Sequence, residues 1–295
     1  MTALLPAVST PPAAPPARLA RPERLSRLVD VGGSTQRTKR RRQVPRGVRR
    51  LTGPVGLIAA WAAASWTGLL DPQLMPPPQE VLQAAGRLIA DGEAQVHLWA
   101  SLQRVLAGVV LGVVAGGLLA VVAGLSRLGE DLLDSTMQVF KAVPNFALTP
   151  LLVMWMGIGE GPKILLITMG VAIAIYINTY GAIRGVDAQL VEVARTLELS
   201  RAALVRHVVL PGALPGFLVG LRVALSSAWL SLIFAETINT TEGLGYLMTR
   251  AQTLLQFDVS VLLLIVYAVV GLLSYGFVRF LERRLLQWRR GFTGA

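Results

Sequence analysis

Polar side chains set inside apolar segments are where this chain could do chemistry. Asn145, Asn178, Ser226, Ser227 and Glu236 lie within or at the ends of long uncharged runs. Hydrocarbon disfavours such groups, so they line a solute pathway or hydrogen-bond between helices. Arg104 and Lys141 fall near the ends of apolar runs, where a long stem snorkels its charge to water. Arg222 sits deeper, inside the run that begins at Ala213, as a bundle-facing ion pair or a snorkelled charge. Covalent chemistry has no comparable footing. The chain contains no Cys, hence no disulfide and no thiolate metal site. His97 and His207 stand far apart without a Glu-flanked pair, and no Ser–His or paired-Asp constellation is visible. Gly157-Ile158-Gly159-Glu160-Gly161-Pro162-Lys163 superficially resembles a phosphate loop. A Walker loop needs Gly-Lys followed by Ser or Thr, whereas Pro162 separates Gly from Lys here and Ile164 follows. It reads as a tight hairpin turn. No catalytic residue, metal, cofactor or nucleotide site is expected.

The elements that must hold these side chains are spans. Of the residues, 53% are hydrophobic and only 15% charged, and mean hydropathy is +0.57. A soluble domain of this size is not built that way. A spanning helix needs about 20 apolar residues. Suitable runs are Leu51–Leu70, Val105–Ser126, Ala142–Gly159, Ile164–Ile183, Ala213–Ala235 and Val259–Val278. The fold class is therefore all-α, a polytopic membrane protein with six transmembrane helices. Pro144 and Pro150 should break or kink the third, which is tolerated where spans line a cavity. Asp71–Pro78 breaks the chain after the first span, and Gln79–Leu98 has helical spacing suited to lying along the membrane surface.

Charge sets the orientation. Residues 1–50 carry 12 Lys/Arg against 2 acids, which supplies nearly all of the net +11. A basic head raises the question of nucleic acid, but Thr38-Lys39-Arg40-Arg41-Arg42 shortly before a span is what the positive-inside rule requires, and no nucleic acid is expected. Arg184, Arg195, Arg201 and Arg206 mark a second cytoplasmic segment, and Arg279, Arg283, Arg284, Arg289 and Arg290 mark the last. Both termini are thus expected in the cytoplasm. The domain plan is a disordered basic region 1–50, a transmembrane domain 51–281 and a basic cytoplasmic tail 282–295. Pro11-Pro12-Ala13-Ala14-Pro15-Pro16 supports disorder at the start.

The cytoplasmic segment 184–212 is more than a connector. Val191, Ala194, Leu197 and Leu199 can line one face, with Arg184, Asp187, Glu192, Arg195 and Glu198 on a charged one. Ser200 is placed to cap a second short helix, Arg201 to Val208, ended by Pro211. Such a hairpin either docks in a partner's groove or rests on lipid.

The residues of this segment resemble the loop by which the membrane subunit of an ABC importer docks on its ATPase. That pattern is Glu-Ala-Ala, Gly at the seventh position, and Ile-x-Leu-Pro at seventeen to twenty. Counting Glu192 as one, Ala194 falls at three, Val208 at seventeen, Leu210 at nineteen and Pro211 at twenty. Val193 replaces the first Ala, and Glu198 stands where Gly is expected. From about Leu74 onward the chain resembles the aliphatic sulfonate, taurine and nitrate permeases, most of all the aliphatic sulfonate permease. Leu102-Gln103-Arg104, Val143-Pro144, Tyr176-Ile177-Asn178-Thr179, Ala235-Glu236-Thr237 and Gly243-Leu244-Gly245-Tyr246 carry that likeness.

The resemblance implies a type I importer permease in the bacterial inner membrane. Two copies form the channel, two ATPase subunits dock below, and a periplasmic or lipid-anchored substrate-binding protein docks outside. It implies an ATPase-coupling loop comprising Glu192, Ala194, Arg195, Leu197, Glu198, Leu199, Ser200, Leu210 and Pro211. Only Gly takes positive φ freely, so Glu198 is expected to favour a more continuous helix there or to present a carboxylate to the ATPase. A stand-alone secondary transporter or channel would instead need coupling carboxylates near mid-membrane, and the acids cluster at span ends. Within the importer class, taurine, nitrate or a pyrimidine precursor are the other cargoes.

Overall fold

The computed structural model describes residues 46–238 and 240–288, with side chains from residue 52 onward. The expected disorder of residues 1–45, the Lys39–Arg42 cluster and the terminal Arg289 and Arg290 lie outside the described residues, whereas residues 46–50, also expected to be disordered, open a helix that begins at Arg46. The packing described below belongs to the unit that begins at Pro54.

Helices make up every described regular element. They are α1 (Arg46–Trp66), α2 (Pro78–Ala90), α3 (Glu93–Leu125), α4 (Arg127–Ala142), α5 (Thr149–Met156), α6 (Glu160–Arg184), α7 (Ala188–Thr196), α8 (Arg201–Leu204), α9 (Leu210–Glu236), α10 (Leu244–Thr253) and α11 (Phe257–Leu285). A short 3-10 turn, Asn145–Leu148, precedes α5. Within hydrocarbon a helix satisfies its own backbone, which leaves side-chain packing to choose neighbours.

Small residues make that choice. On α3, Gly108, Gly112 and Gly116 recur at every fourth position and face α6. A Cβ built on Gly112 would lie 2.6 Å from Val171, and one on Gly116 only 2.3 Å from the Ala172 carbonyl oxygen. An adjoining face of α6 receives α9 in the same manner, with Gly216 against Ala182 and Gly220 against Asn178. Close backbone approach replaces the missing hydrophobic drive between helices in lipid. Thus α3 and α9 both pack on α6, around Ile167, Val171, Ile175, Leu218, Ala224 and Leu232. The other side of α3 exposes Leu106, Val110, Val114, Leu118 and Val122, a continuous apolar stripe suited to acyl chains. Gly116→Leu is expected to destabilise the bundle by about 3 kcal/mol, because the α3–α6 backbones must part. Gly117→Leu, where a Cβ meets nothing within 4 Å, should be silent when both are compared by heat-induced loss of the monodisperse species.

Four helices among the described residues are long and apolar enough to cross a membrane, within Glu93–Leu125, Glu160–Arg184, Arg201–Glu236 and Phe257–Leu285. The pair Arg127–Ala142 and Asn145–Met156 is long and apolar enough only if its two helices, bent by 87°, count together as one broken span. α1 covers most of the expected first span but is not among the four. The six-span count is thus matched in part. The third span differs most, since α4 begins near Arg127, well ahead of Ala142, and the break falls at Val143-Pro144. Pro150 contributes no kink, for it occupies the first turn of α5, where a missing N–H costs nothing.

Two more boundaries move. The expected helix Gln79–Leu98 is two elements, because Gly92 at φ +77 ends the first and opens α3. α2 packs Ala84 and Leu88 against Leu244, Leu247 and Leu263 of α10 and α11 and leaves Leu82 and Ile89 exposed. The helix expected to end at Pro211 runs on: α8 passes through a π turn, Val205–Val209, directly into α9. A π turn widens the ladder by one residue, so Pro211 enters the first turn of α9 without opposing an occupied carbonyl.

Candidate functional site

Three places carry the polar chemistry: the hairpin of α7 and α8, a cavity at the bend between α4 and α5, and a buried knot at the far end of the bundle.

Asp187 starts the hairpin, its side chain accepting from the Gln189 N–H at 2.9 Å as the cap of α7. The helix ends in a reciprocal pair of backbone bonds. Leu199 N–H donates to Ala194 O at 3.1 Å and Glu198 N–H to Arg195 O at 2.9 Å. This is the Schellman arrangement, and it requires a left-handed residue after the cap. Glu198 supplies it at φ +53. The expected straightening of the helix at Glu198 does not occur: the chain turns as Gly would turn it, and the side chain bears the strain. Glu198→Gly is accordingly expected to stabilise the hairpin by about 1 kcal/mol. Slower amide exchange at Glu198 and Leu199 would register it, whereas Glu198→Val should quicken exchange there.

Ser200 caps α8 as expected, accepting from the Ala203 N–H at 3.3 Å. Only Ala194 of the expected apolar face is fully buried, at 3% exposure. Leu190, Val193, Leu197 and Leu199 point outward and border a depression of about 370 Å³ with Val208, Pro211 and Trp288. Leu210 is half exposed beside it. Glu192 and Arg195 line a separate hollow with Arg184 and Val186. A contiguous apolar patch with charged flanks on a surface helix marks a protein contact.

The polar pathway candidates do not all converge. Asn145 donates through Nδ2 to Leu166 O at 2.9 Å and to Ser231 Oγ at 2.8 Å, bracing the bend against α6 and α9. It borders a cavity of about 290 Å³ with Ser227, Lys141, Phe140, Phe146 and Phe234. Asn178 instead donates to Ala174 O one turn back, at 2.8 Å. Ser226 is exposed and bonds Arg222 O at 3.3 Å. Arg222 is an ion pair, made to Glu282 of α11, with its guanidinium over the Tyr275 ring at 5.3 Å.

Glu236 is elsewhere, in a knot that its isolated position in the sequence concealed. At 1% exposure, it accepts from Ser101 Oγ at 2.8 Å, Arg104 Nη1 at 2.7 Å and Gly245 N–H at 2.8 Å. Arg104 also grips Glu160 through Nε and Nη2, at 2.5 and 2.9 Å, and Glu242 O at 2.7 Å. Ser101 Oγ accepts from Leu244 N–H at 2.8 Å and His97 Nδ1 from Gly243 N–H at 3.0 Å. The snorkelling expected of Arg104 is therefore overturned, because its fork is shared between two carboxylates from two helices. Gly243, at φ +125, lets the chain pass over Glu236, where any Cβ would lie 2.4 Å from the carboxyl carbon. The signal was present only in pieces: Ser101 and Arg104 one turn apart on α3, and glycines on either side of Leu244.

Taken together, an all-α bundle with spans enough to cross a membrane, a bent third span beside a cavity and an outward-facing apolar hairpin define a membrane-embedded transport subunit. The family model described as binding-protein-dependent transport system inner membrane component matches residues 108–287, and the chain belongs to that family. It is similar to the aliphatic sulfonates transport permease protein SsuC of Escherichia coli, 45% identical over 81% of this chain and 91% of that one. The protein of that name from Bacillus subtilis is 40% identical over 82% and 87%. The taurine transport system permease protein TauC of Escherichia coli is 34% identical over 81% and 90%. Among solved structures, the fold is similar to a chain of the MetNI methionine ABC transporter, with TM-score 0.51 and 21% identity over 61% of this chain and 92% of that one. A chain of an amino acid ABC transporter gives TM-score 0.54 at 17% identity, over 70% and 97%. The fold is that of ABC importer permeases, and the alternative of a stand-alone carrier is not favoured.

Proposed function

We propose that this chain is the permease of an importer for aliphatic sulfonates, acting as a homodimer with two ATPase subunits and an external substrate-binding protein. Both termini then lie in the cytoplasm, as the Arg-rich segments 184–212 and 279–290 require. The observation that carries the reading is the α7–α8 hairpin. A rigid, doubly capped turn displays Leu190, Val193 and Leu197 to solvent on the arginine-rich side. A partner's groove would cover that face, and movement of the groove would be transmitted through the unbroken α8–π–α9 rod to the spans. Closure of the ATP-loaded pair would draw two hairpins together and open the cavity outward; hydrolysis would reverse it. The chain itself makes and breaks no covalent bond. Sulfonate as cargo is supported by the names of the two relatives with 45% and 40% identity.

Reconstitution tests this. The complex of permease, ATPase and binding protein in proteoliposomes is expected to hydrolyse ATP faster when binding protein and alkanesulfonate are present together. Stimulation by taurine or nitrate alone would move the cargo and keep the importer. Failure to assemble with any ATPase would end the reading.

A further inference from the structure

Lys141 is misplaced for a residue at the end of a span. The cavity it borders also takes in Gly170 and Ile173 of α6. α6 runs from Glu160 to Arg184, so at a rise of about 1.5 Å per residue Ile173 is roughly 17–20 Å from either end. Lys141 therefore stands level with the middle of α6, at the end of α4 and just ahead of the 87° turn. The half-thickness of the hydrocarbon core, about 15 Å, exceeds what its four-carbon stem can span. The snorkelling expected of Lys141 is thus not available. Among the described residues no acid pairs with it, whereas Arg104, Lys163, Arg222 and Arg250 each meet a carboxylate. An unpaired ammonium at this depth must face water or an anion.

The walls narrow the choice. Ser227 contributes a hydroxyl to the cavity, and Phe146 and Phe234 stack at 4.8 Å to form an apolar wall continued by Leu230. A cation and a hydroxyl beside a hydrocarbon surface suit an anion that carries an alkyl tail. At about 290 Å³, the cavity is at the lower edge of small-molecule sites, roughly 300 to 1,000 Å³.

We infer that Lys141 and Ser227 form an anion station midway along the translocation path, holding the headgroup of an alkanesulfonate while its tail lies on Phe146 and Phe234. The inference rests on the permease reading above and adds a subsite within this chain to the selectivity of the binding protein. A single charge with one hydroxyl holds its guest loosely, as a conduit requires: tight binding at mid-path would trap the cargo.

The chain's lack of Cys makes the test clean. In the assembled complex in lipid nanodiscs, Ile173→Cys, a cavity-lining position that leaves Lys141 and Ser227 in place, is expected to react with a water-soluble, sulfonate-bearing methanethiosulfonate, read by mass of this chain. Hexanesulfonate should slow that reaction several-fold, whereas inorganic sulfate and hexyltrimethylammonium should not. Val114→Cys, on the lipid-facing stripe, should stay unlabelled. In uptake assays, Lys141→Gln should raise the alkanesulfonate KM by about tenfold, and Lys141→Arg should recover most of it. No labelling at position 173, or labelling indifferent to hexanesulfonate, overturns the station. So does protection by sulfate equal to that by hexanesulfonate, since the apolar wall would then be idle. An unchanged KM in Lys141→Gln overturns it too and leaves the permease reading standing. Wild-type complex that imports no alkanesulfonate defeats the cargo reading, and the labelling arm still decides whether the cavity at Lys141 meets organic anions.

Discussion

Arg104→Ala is expected to destabilise the folded subunit by roughly 3–5 kcal/mol, the cost of leaving a buried carboxylate without its partner. The magnitude follows from where the charges are. Glu236 has no exposed side-chain surface and Arg104 has 7%, so neither recovers hydration once the other is gone. Had Arg104 snorkelled, the loss would be about 1 kcal/mol or less. The damage should also be local in a readable way. Arg104 holds the Glu242 carbonyl, Ser101 and Glu236 hold the backbone of Leu244 and Gly245, and His97 holds Gly243. Hydrogen exchange should therefore quicken first over 240–253, ahead of α3 or α6. Thermal loss of the monodisperse species in detergent, beside exchange of that segment, would check both parts. A drop below about 1 kcal/mol would mean that the knot is hydrated in the membrane.

The second large effect separates coupling from folding. Leu197 is 69% exposed, so Leu197→Asp should change the stability of the isolated permease by no more than about 0.5 kcal/mol. In the complex the same side chain is expected to sit in a desolvated groove. A buried charge there should cost about 2 kcal/mol or more of docking energy, roughly thirtyfold in affinity. Co-purification with the ATPase should weaken and substrate-stimulated hydrolysis should fall to its uncoupled level, while melting of the permease alone is unchanged. Glu192→Ala, on the rim-like charged side, should weaken docking far less. Equal effects from the two variants would place the contact on the charged face and contradict the apolar docking surface.

Some of the fold was legible before any coordinates. Runs such as Ile164–Ile183 and Val259–Val278 are too long and uncharged to be anything but membrane helices, and the observed α6 and α11 contain them whole. Ser200 was readable as a cap because the N–H donors of a first turn need an acceptor that only a few side chains supply. Boundaries were less legible. Ala142 looked like the start of a span because the amphipathic α4 carries Arg127, Glu130, Asp131 and Asp134, which a hydropathy window reads as loop. That single misjudged boundary put Lys141 at the end of a span when it borders a cavity beside Gly170 and Ile173 in the middle of α6. Glu198 misled for another reason: propensity disfavours a left-handed Glu by a kcal/mol or two, and the bonds from Leu199 and Glu198 back to Ala194 and Arg195 outweigh it.

The sequence by itself determined the solvent and the family, since apolar length, charge bias and a twenty-residue register are one-dimensional properties. Tertiary structure alone decided which charges are partners. Arg104 and Glu236 are 132 residues apart, and nothing local in either helix tells a snorkelling arginine from a buried one. Their pairing exists because α3 and α9 pack on α6 at glycine-scale distances, which brings their ends together and takes both charges out of water.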